Sequence, residues 1–125
     1  MAETKTRKEL KEEYKQMKFP MGVFAIKNIS IGKVYIGNSN NLDLIWNSDK
    51  FKLDMGGHKN PGLQEDWKKF GAENFTFEIL HELILSDDPA VDVRAELIAL
   101  EELTIEEMQP YGEKGYHRVP VAKKN

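Results

Sequence analysis

The chain has 125 residues, 40% of them hydrophobic, which is enough for one buried core and too little for two ordinary domains. The absence of cysteine excludes disulfide bonds, thiolate metal sites and thiol nucleophiles. No apolar run approaches the roughly 20 residues that a membrane helix needs, and the charged N-terminus is unlike a signal peptide. We therefore expect a cytoplasmic protein without a membrane partner; the sequence indicates no oligomeric state.

The net charge of −3 excludes a protein whose entire surface binds nucleic acid. Acidic residues dominate residues 71–113, whereas basic residues prevail in residues 1–70 and in the tail from Lys114. A polyanion would therefore approach the N-terminal part of the chain or the tail. The alternative is that these charges only solvate the surface.

Residues 3–18 are rich in helix-forming residues and carry an apolar stripe at helical spacing, made of Leu10, Tyr14 and Met17. This pattern predicts an N-terminal helix packed on the rest of the chain. The expected organisation is an N-terminal helix in residues 1–20, one domain in residues 21–118, and a flexible tail in residues 119–125.

Three short runs have the composition or alternation of β-strands, namely residues 21–27, 33–37 and 75–80. A turn-prone segment joins the first two, which predicts a hairpin. In the third run, Phe75, Phe77 and Ile79 alternate with polar residues, as in a strand with one buried face. Together the runs predict a small, three-stranded, mainly antiparallel sheet.

Helix start and stop signals predict three helices after the hairpin. The first spans residues 41–54, between the cap residues around Asn41 and the glycine pair that begins at Gly56. The second spans residues 61–70, and the longest begins near residues 86–89 and ends at about Met108. Helices flanking a small antiparallel sheet give an α+β fold.

The segments Gly22-Val-Phe24 and Tyr35-Ile-Gly37, separated by a turn and followed by a helix, resemble the motif that names the GIY-YIG nuclease family. Later segments follow in the order of homing-endonuclease-type domains of that family: LQEDW, FGAENFTFEIL, LIALEELTIEEM and KGYH. The resemblance spans about residues 21–118. It is closest to the branch associated with LuxR-like transcriptional regulators, through NLDLIWN and MQPYGEKGYH. It implies DNA as a partner and Mg²⁺ or Mn²⁺ as the cofactor of an active enzyme.

The resemblance also implies which residues would form a site. Tyr35 matches the second tyrosine of the motif, and Glu101 matches the glutamate that binds metal in family members that cut. Four positions differ from those members, which have tyrosine, arginine, histidine and asparagine where this chain has Phe24, Ile45, Asp49 and His117. The full set of predicted substrate-facing residues is Phe24, Asn38, Ser39, Ile45, Lys50 and His117.

The residue pattern around Glu101 places its carboxylate among apolar side chains one turn away on the long helix. A carboxylate there needs a cation, a basic partner or a raised pKa, and such needs often mark functional sites. The alternative is a glutamate at the helix edge that reaches water or pairs with a lysine.

On the helix of residues 41–54, Leu42, Ile45, Asp49 and Leu53 share one face, which we expect to face the hairpin. If Asp49 and Glu101 converge, their oxygens could hold a hard divalent cation. The alternative is that Asp49 bonds to nearby backbone or to Lys50.

The alternation of the second strand directs the Tyr35 hydroxyl to the cleft with the helix of residues 41–54, where it could orient or deprotonate water. The alternative is a tyrosine that only suits a strand. His58 and His81 are interpreted as surface residues, and His117 as a donor at the edge of the site, because the histidines lack metal-ligand spacing.

Three functions follow from these patterns. The favoured one is a nucleic-acid-binding or regulatory module with a degenerate catalytic centre, because Ile45 cannot donate a hydrogen bond to phosphate and Asp49 adds negative charge. The second is an active metal-dependent endonuclease that uses Glu101 and Tyr35. The third is a protein- or ligand-interaction domain without a nucleic-acid role.

Overall fold

The computed structural model describes residues 20–84 and 90–119. Within them, six main elements follow one another along the chain: β1 (Gly22–Asn28), β2 (Val34–Ser39), α1 (Leu42–Met55), α2 (Pro61–Phe70), β3 (Phe75–Glu82) and α3 (Val93–Met108). Short 3-10 turns occupy Ala72–Asn74 and Gly112–Lys114. The predicted α+β class is confirmed, whereas the predicted N-terminal helix lies outside the described residues. No helix in the described part of the chain is long and apolar enough to cross a membrane.

The three strands form one antiparallel sheet in the order β2-β1-β3. Strand β1 is central and almost entirely buried, because α1 and α2 cover one of its faces and α3 packs against the other. Phe24 and Ile26 belong to the core on the first face, whereas Val23 and Ala25 point to the opposite face. The hairpin of β1 and β2 therefore lies between two layers of helices.

The core between the sheet and the first two helices is mostly aromatic and aliphatic: Phe24, Ile26, Tyr35, Leu42, Leu53, Leu63, Trp67 and Phe75. Gly37 faces Phe24 across the hairpin, and a Cβ at position 37 would lie 2.6 Å from the tip of the Phe24 ring. The glycine of the YIG segment is thus required by close packing.

Helix α1 begins and ends where the sequence predicts. The Asn41 side chain accepts a hydrogen bond from the Asp43 N–H, and Gly56 takes a left-handed conformation with φ of 83°. The predicted inward face is confirmed, since Leu42, Asp49 and Leu53 are buried.

Of the other two helices, α2 has the predicted bounds and α3 starts later than predicted. Helix α2 matches its predicted bounds, with Asn60 as N-cap and Pro61 in the first turn. For α3, the predicted start near residues 86–89 is wrong. The helix begins at Val93, because the Asp92 carboxylate accepts hydrogen bonds from the N–H groups of Arg94 and Ala95.

The predicted buried face of β3 is only partly formed. Phe75 is buried and Phe77 is half-buried, but Ile79 is 42% exposed. Strand β1 is central and covered on both faces, whereas β3 lies at one of the two edges of the sheet, where Ile79 stays partly exposed.

Candidate functional site

Tyr35 lies at the centre of the candidate site. Strand β2 points its ring into the core, where it is only 4% exposed. The His117 ring stacks on it at 5.4 Å between centroids, and the His58 ring meets it edge-on at 5.2 Å. Phe24 approaches from a third direction at 6.4 Å. Four rings from distant parts of the chain therefore form one cluster around the second tyrosine of the motif.

Two cavities open beside this cluster, and both Tyr35 and Lys59 line each of them. The larger, of about 610 Å³, is also lined by Glu101, His117 and Arg118. The smaller, of about 170 Å³, is lined by residues of the hairpin, of α1 and of the loop after it, including Phe24, Asn38, Ile45, Asp49 and His58. Tyr35 and Lys59 therefore connect the two halves of the site.

Glu101 reaches the larger cavity from α3 and is half-buried. The Asn38 side chain donates a hydrogen bond of 3.1 Å to its Oε1. Burial raises the pKa of Glu101, while the hydrogen bond from Asn38 and the charge of Lys59 act in the opposite direction. The carboxylate is thus held in place by an amide from β2 and keeps access to the cavity.

Asp49 is buried on α1, and its Oδ2 lies 3.7 Å from His58 Nε2. The Asn60 N–H donates to His58 Nδ1 at 3.0 Å, so a neutral His58 carries its proton on Nε2, facing Asp49. The interpretation of His58 as a surface residue is wrong, because the residue is only 8% exposed. The signal was available in Asp49, since a carboxylate on an inward helix face needs a polar partner.

The environment of Tyr35 is unfavourable to its ionised form. Burial raises its pKa well above the ordinary value of 10, and the charges of Asp49 and Glu101 raise it further. At neutral pH the side chain is a phenol whose oxygen can orient a ligand. It is a poor acceptor of protons from water.

His117 is fixed by the backbone of β2, because the Ile36 N–H donates to its Nε2 at 2.8 Å. Burial lowers the pKa of His117, and the charge of Lys59 also lowers it. The neutral ring therefore carries its proton on Nδ1 and has one donor available at the wall of the larger cavity. His81, by contrast, is exposed, as predicted.

The structure brings most of the predicted site residues together. Tyr35, Phe24, Asn38, Ile45 and Asp49 line the smaller cavity, and Tyr35, Glu101 and His117 line the larger one.

Ser39 and Lys50 line neither cavity. The Ser39 hydroxyl accepts a hydrogen bond of 2.9 Å from the Asn41 N–H at the start of α1. The Lys50 ammonium lies 5.2 Å from the centroid of the Trp46 ring. Both side chains have local structural partners in place of a ligand, and the alternative of an Asp49–Lys50 pair is wrong because Asp49 faces His58.

Asp49 and Glu101, the predicted metal ligands, line different cavities. Residues 20–84 and 90–119 contain no cluster of three or more His, Asp or Glu side chains that could hold a metal ion. Mg²⁺ is commonly bound through one or two carboxylates, with water and substrate phosphates as the other ligands. Glu101 fits that pattern as a single carboxylate ligand, because it faces a cavity large enough for water and phosphate ligands.

Two solved structures with similar folds resolve what the scaffold is. A mutant form of the catalytic domain of the intron endonuclease I-TevI matches with a TM-score of 0.66 and 25% identity, over 79% of this chain and 93% of that one. The catalytic domain of the homing endonuclease I-TevI matches with a TM-score of 0.64 and 27% identity, over 77% of this chain and 95% of that one. The chain has a GIY-YIG nuclease fold.

No protein-family model and no curated protein sequence matches the chain. The GIY-YIG fold is therefore assigned through the structural similarity, together with the hairpin motif. These comparisons give no support to the predicted closeness to the branch associated with LuxR-like regulators.

Proposed function

We propose that the chain is a nucleic-acid-binding or regulatory domain with a nuclease fold, in which phosphodiester cleavage has been lost. The observation that carries this proposal is the position of Tyr35 between two carboxylates. Burial disfavours the ionisation of Tyr35 most, and the charges of Asp49 and Glu101 add to that effect. At neutral pH this environment keeps Tyr35 a neutral phenol, which is a weak base toward water.

The groups that would stabilise a transition state also differ from those of cutting enzymes. Phosphoryl transfer depends on cationic donors placed against the developing charge, and losing one such group costs on the order of a hundred- to a thousandfold in rate. Ile45 lines the smaller cavity and has no donor, and Asp49 adds negative charge there beside Lys52 and Lys59. Phe24 packs against Gly37 and brings no hydroxyl.

Binding is supported by the composition of the larger cavity. Lys59 and Arg118 lie on its wall, and Tyr35, Tyr116 and His117 contribute aromatic surface. Cationic side chains bind phosphates, and aromatic rings accept stacked bases. DNA is the proposed ligand, because the similar solved structures are catalytic domains of endonucleases.

Fluorescence anisotropy of a labelled DNA duplex, measured in EDTA at low and at high salt, tests this proposal. Contacts to phosphates release counterions, so the affinity should fall steeply as salt rises. No binding at low salt would overturn the proposal and leave a protein- or ligand-interaction domain.

An active metal-dependent endonuclease is the second candidate, because Glu101 and Tyr35 line the same cavity. Glu101 would hold Mg²⁺ or Mn²⁺ there, and such an ion, when bound, polarises a phosphate and neutralises negative charge. This candidate requires cleavage that disappears in the Glu101→Ala variant.

A further inference from the structure

Each of the two histidines that contact Tyr35 is followed in the sequence by a cationic residue. His58 is followed by Lys59 in the loop between α1 and α2, and His117 is followed by Arg118 after the last 3-10 turn. Both histidine rings contact the Tyr35 ring. In both pairs the histidine packs inward and the following cation lines the larger cavity.

The loop that carries Lys59 is held on both sides of the lysine. The His58 N–H donates to the Gln64 side chain at 3.0 Å, and the Asn60 N–H donates back to the His58 ring at 3.0 Å. The Gln64 amide donates in turn to the Leu53 carbonyl at 2.8 Å. Although the Lys59 side chain is exposed, its backbone is fixed, which lowers the entropy lost when it binds a ligand.

The segment that carries Arg118 is held in a comparable way. The His117 ring accepts from the Ile36 N–H, and the His117 N–H donates to the Pro110 carbonyl at 3.1 Å. The Asn60 side chain also donates to the Tyr116 carbonyl at 3.1 Å. This last bond joins the Lys59 loop directly to the segment before Arg118, so the backbone segments that carry the two cations are fixed relative to each other.

We propose that Lys59 and Arg118 form a phosphate clamp, in which one backbone phosphate of a nucleic-acid strand lies between the two side chains in the larger cavity. The clamp lies in the larger cavity, whereas Ile45 lines the smaller one, so the clamp serves binding and does not replace the cation that α1 lacks. An arginine can bind two phosphate oxygens at once, while a lysine acts as a point charge beside them. This inference rests on the proposed function, since it names the group by which a nucleic acid is held.

The first experiment compares duplex binding by wild type, Lys59→Ala, Arg118→Ala and the double variant across a salt series. Lys68→Ala and Arg94→Ala are matched controls, because both side chains are exposed and line neither cavity. Each clamp substitution should weaken binding by roughly three- to tenfold. Each should also reduce the slope of log affinity against log salt by about 0.9, and the controls should change neither quantity.

The second experiment separates failure of the clamp from failure of the proposed function. Pyrophosphate is titrated into each variant, and the ring-proton NMR signals of His117, which lines the larger cavity, report on its occupancy. Pyrophosphate-dependent shifts that require Lys59 and Arg118 support the clamp even if the wild type binds no DNA. If the wild type binds DNA and the clamp variants match the controls in affinity, slope and shifts, the clamp is overturned and the proposed function stands.

Discussion

The His117 ring lies nearly parallel to the Tyr35 ring, with 5.4 Å between their centroids and 7° between their planes. His58 meets the same tyrosine edge-on, so Tyr35 is enclosed on two sides by imidazole rings. The second tyrosine of the motif is consequently a packed centre of the site. Its pKa is raised first by burial and further by the charges of Asp49 and Glu101.

Ionisation of Tyr35 is expected to be delayed far beyond that of an ordinary tyrosine. Burial and two nearby carboxylates raise its pKa, so the folded state keeps a proton that the unfolded state releases near pH 10. The associated stability is present below that pH and is lost as pH rises above it. Absorbance titration at 295 nm checks this.

The control is Tyr35→Phe, in which the late-titrating amplitude should shrink by one tyrosine. An unchanged late amplitude in the folded variant would show that Tyr35 titrates normally. The account of a neutral phenol would then be wrong.

Glu101→Gln is expected to stabilise the protein. The substitution removes a charge whose burial is unfavourable, and the glutamine oxygen can still accept from Asn38. At pH 7 the free energy of unfolding should rise by roughly 0.5–1 kcal/mol, as is common when a functional residue is replaced.

The gain should depend on pH. The pKa of Glu101 is raised above 4.5, so its contribution is favourable below that pH and is lost as pH rises through the raised value. Urea denaturation from pH 4 to pH 7 should show a growing difference between variant and wild type. Glu107→Gln, at an exposed position of the same helix, serves as control, and a destabilised Glu101→Gln would contradict the expected gain.

The sequence predicted those elements whose boundaries depend on local chemistry. Helix α2 begins with the cap residue Asn60 and with Pro61, whose backbone angle is fixed, and it ends at Gly71. Each of these signals lies within one turn of the helix end that it marks. The start of α3 was placed too early because the sequence has acidic residues suited to a helix cap both in residues 86–89 and at Asp92. Only the fold shows that Asp92 takes that position.

The candidate site was predictable in its composition but not in its partners. The inward position of Asp49 followed from helical spacing, yet His58 looks like part of a polar surface loop until α1 and β2 close around it. The same holds for Arg118, whose placement at the cavity depends on the anchoring of His117 to β2. Such relationships arise from long-range packing that no local pattern records.

The double substitution Ile45→Arg with Asp49→His is expected to restore cleavage. Both positions line the smaller cavity beside Tyr35, so the new side chains would bring donors and remove a negative charge where a phosphate must lie. Plasmid nicking in Mn²⁺ should rise on the order of a hundredfold above the wild-type background. Adding Glu101→Ala to the double variant should abolish the gain, and a folded, DNA-binding double variant without nicking would argue against this explanation of the loss.

The most direct test of the central claim is incubation of the wild-type chain with supercoiled plasmid and Mn²⁺, followed by gel electrophoresis before and after protein removal. The account predicts plasmid that migrates more slowly while protein is bound. It also predicts no nicked circles beyond the protein-free control once the protein is removed. Nicked circles that require Mn²⁺ and disappear in both Glu101→Ala and Tyr35→Phe would contradict it.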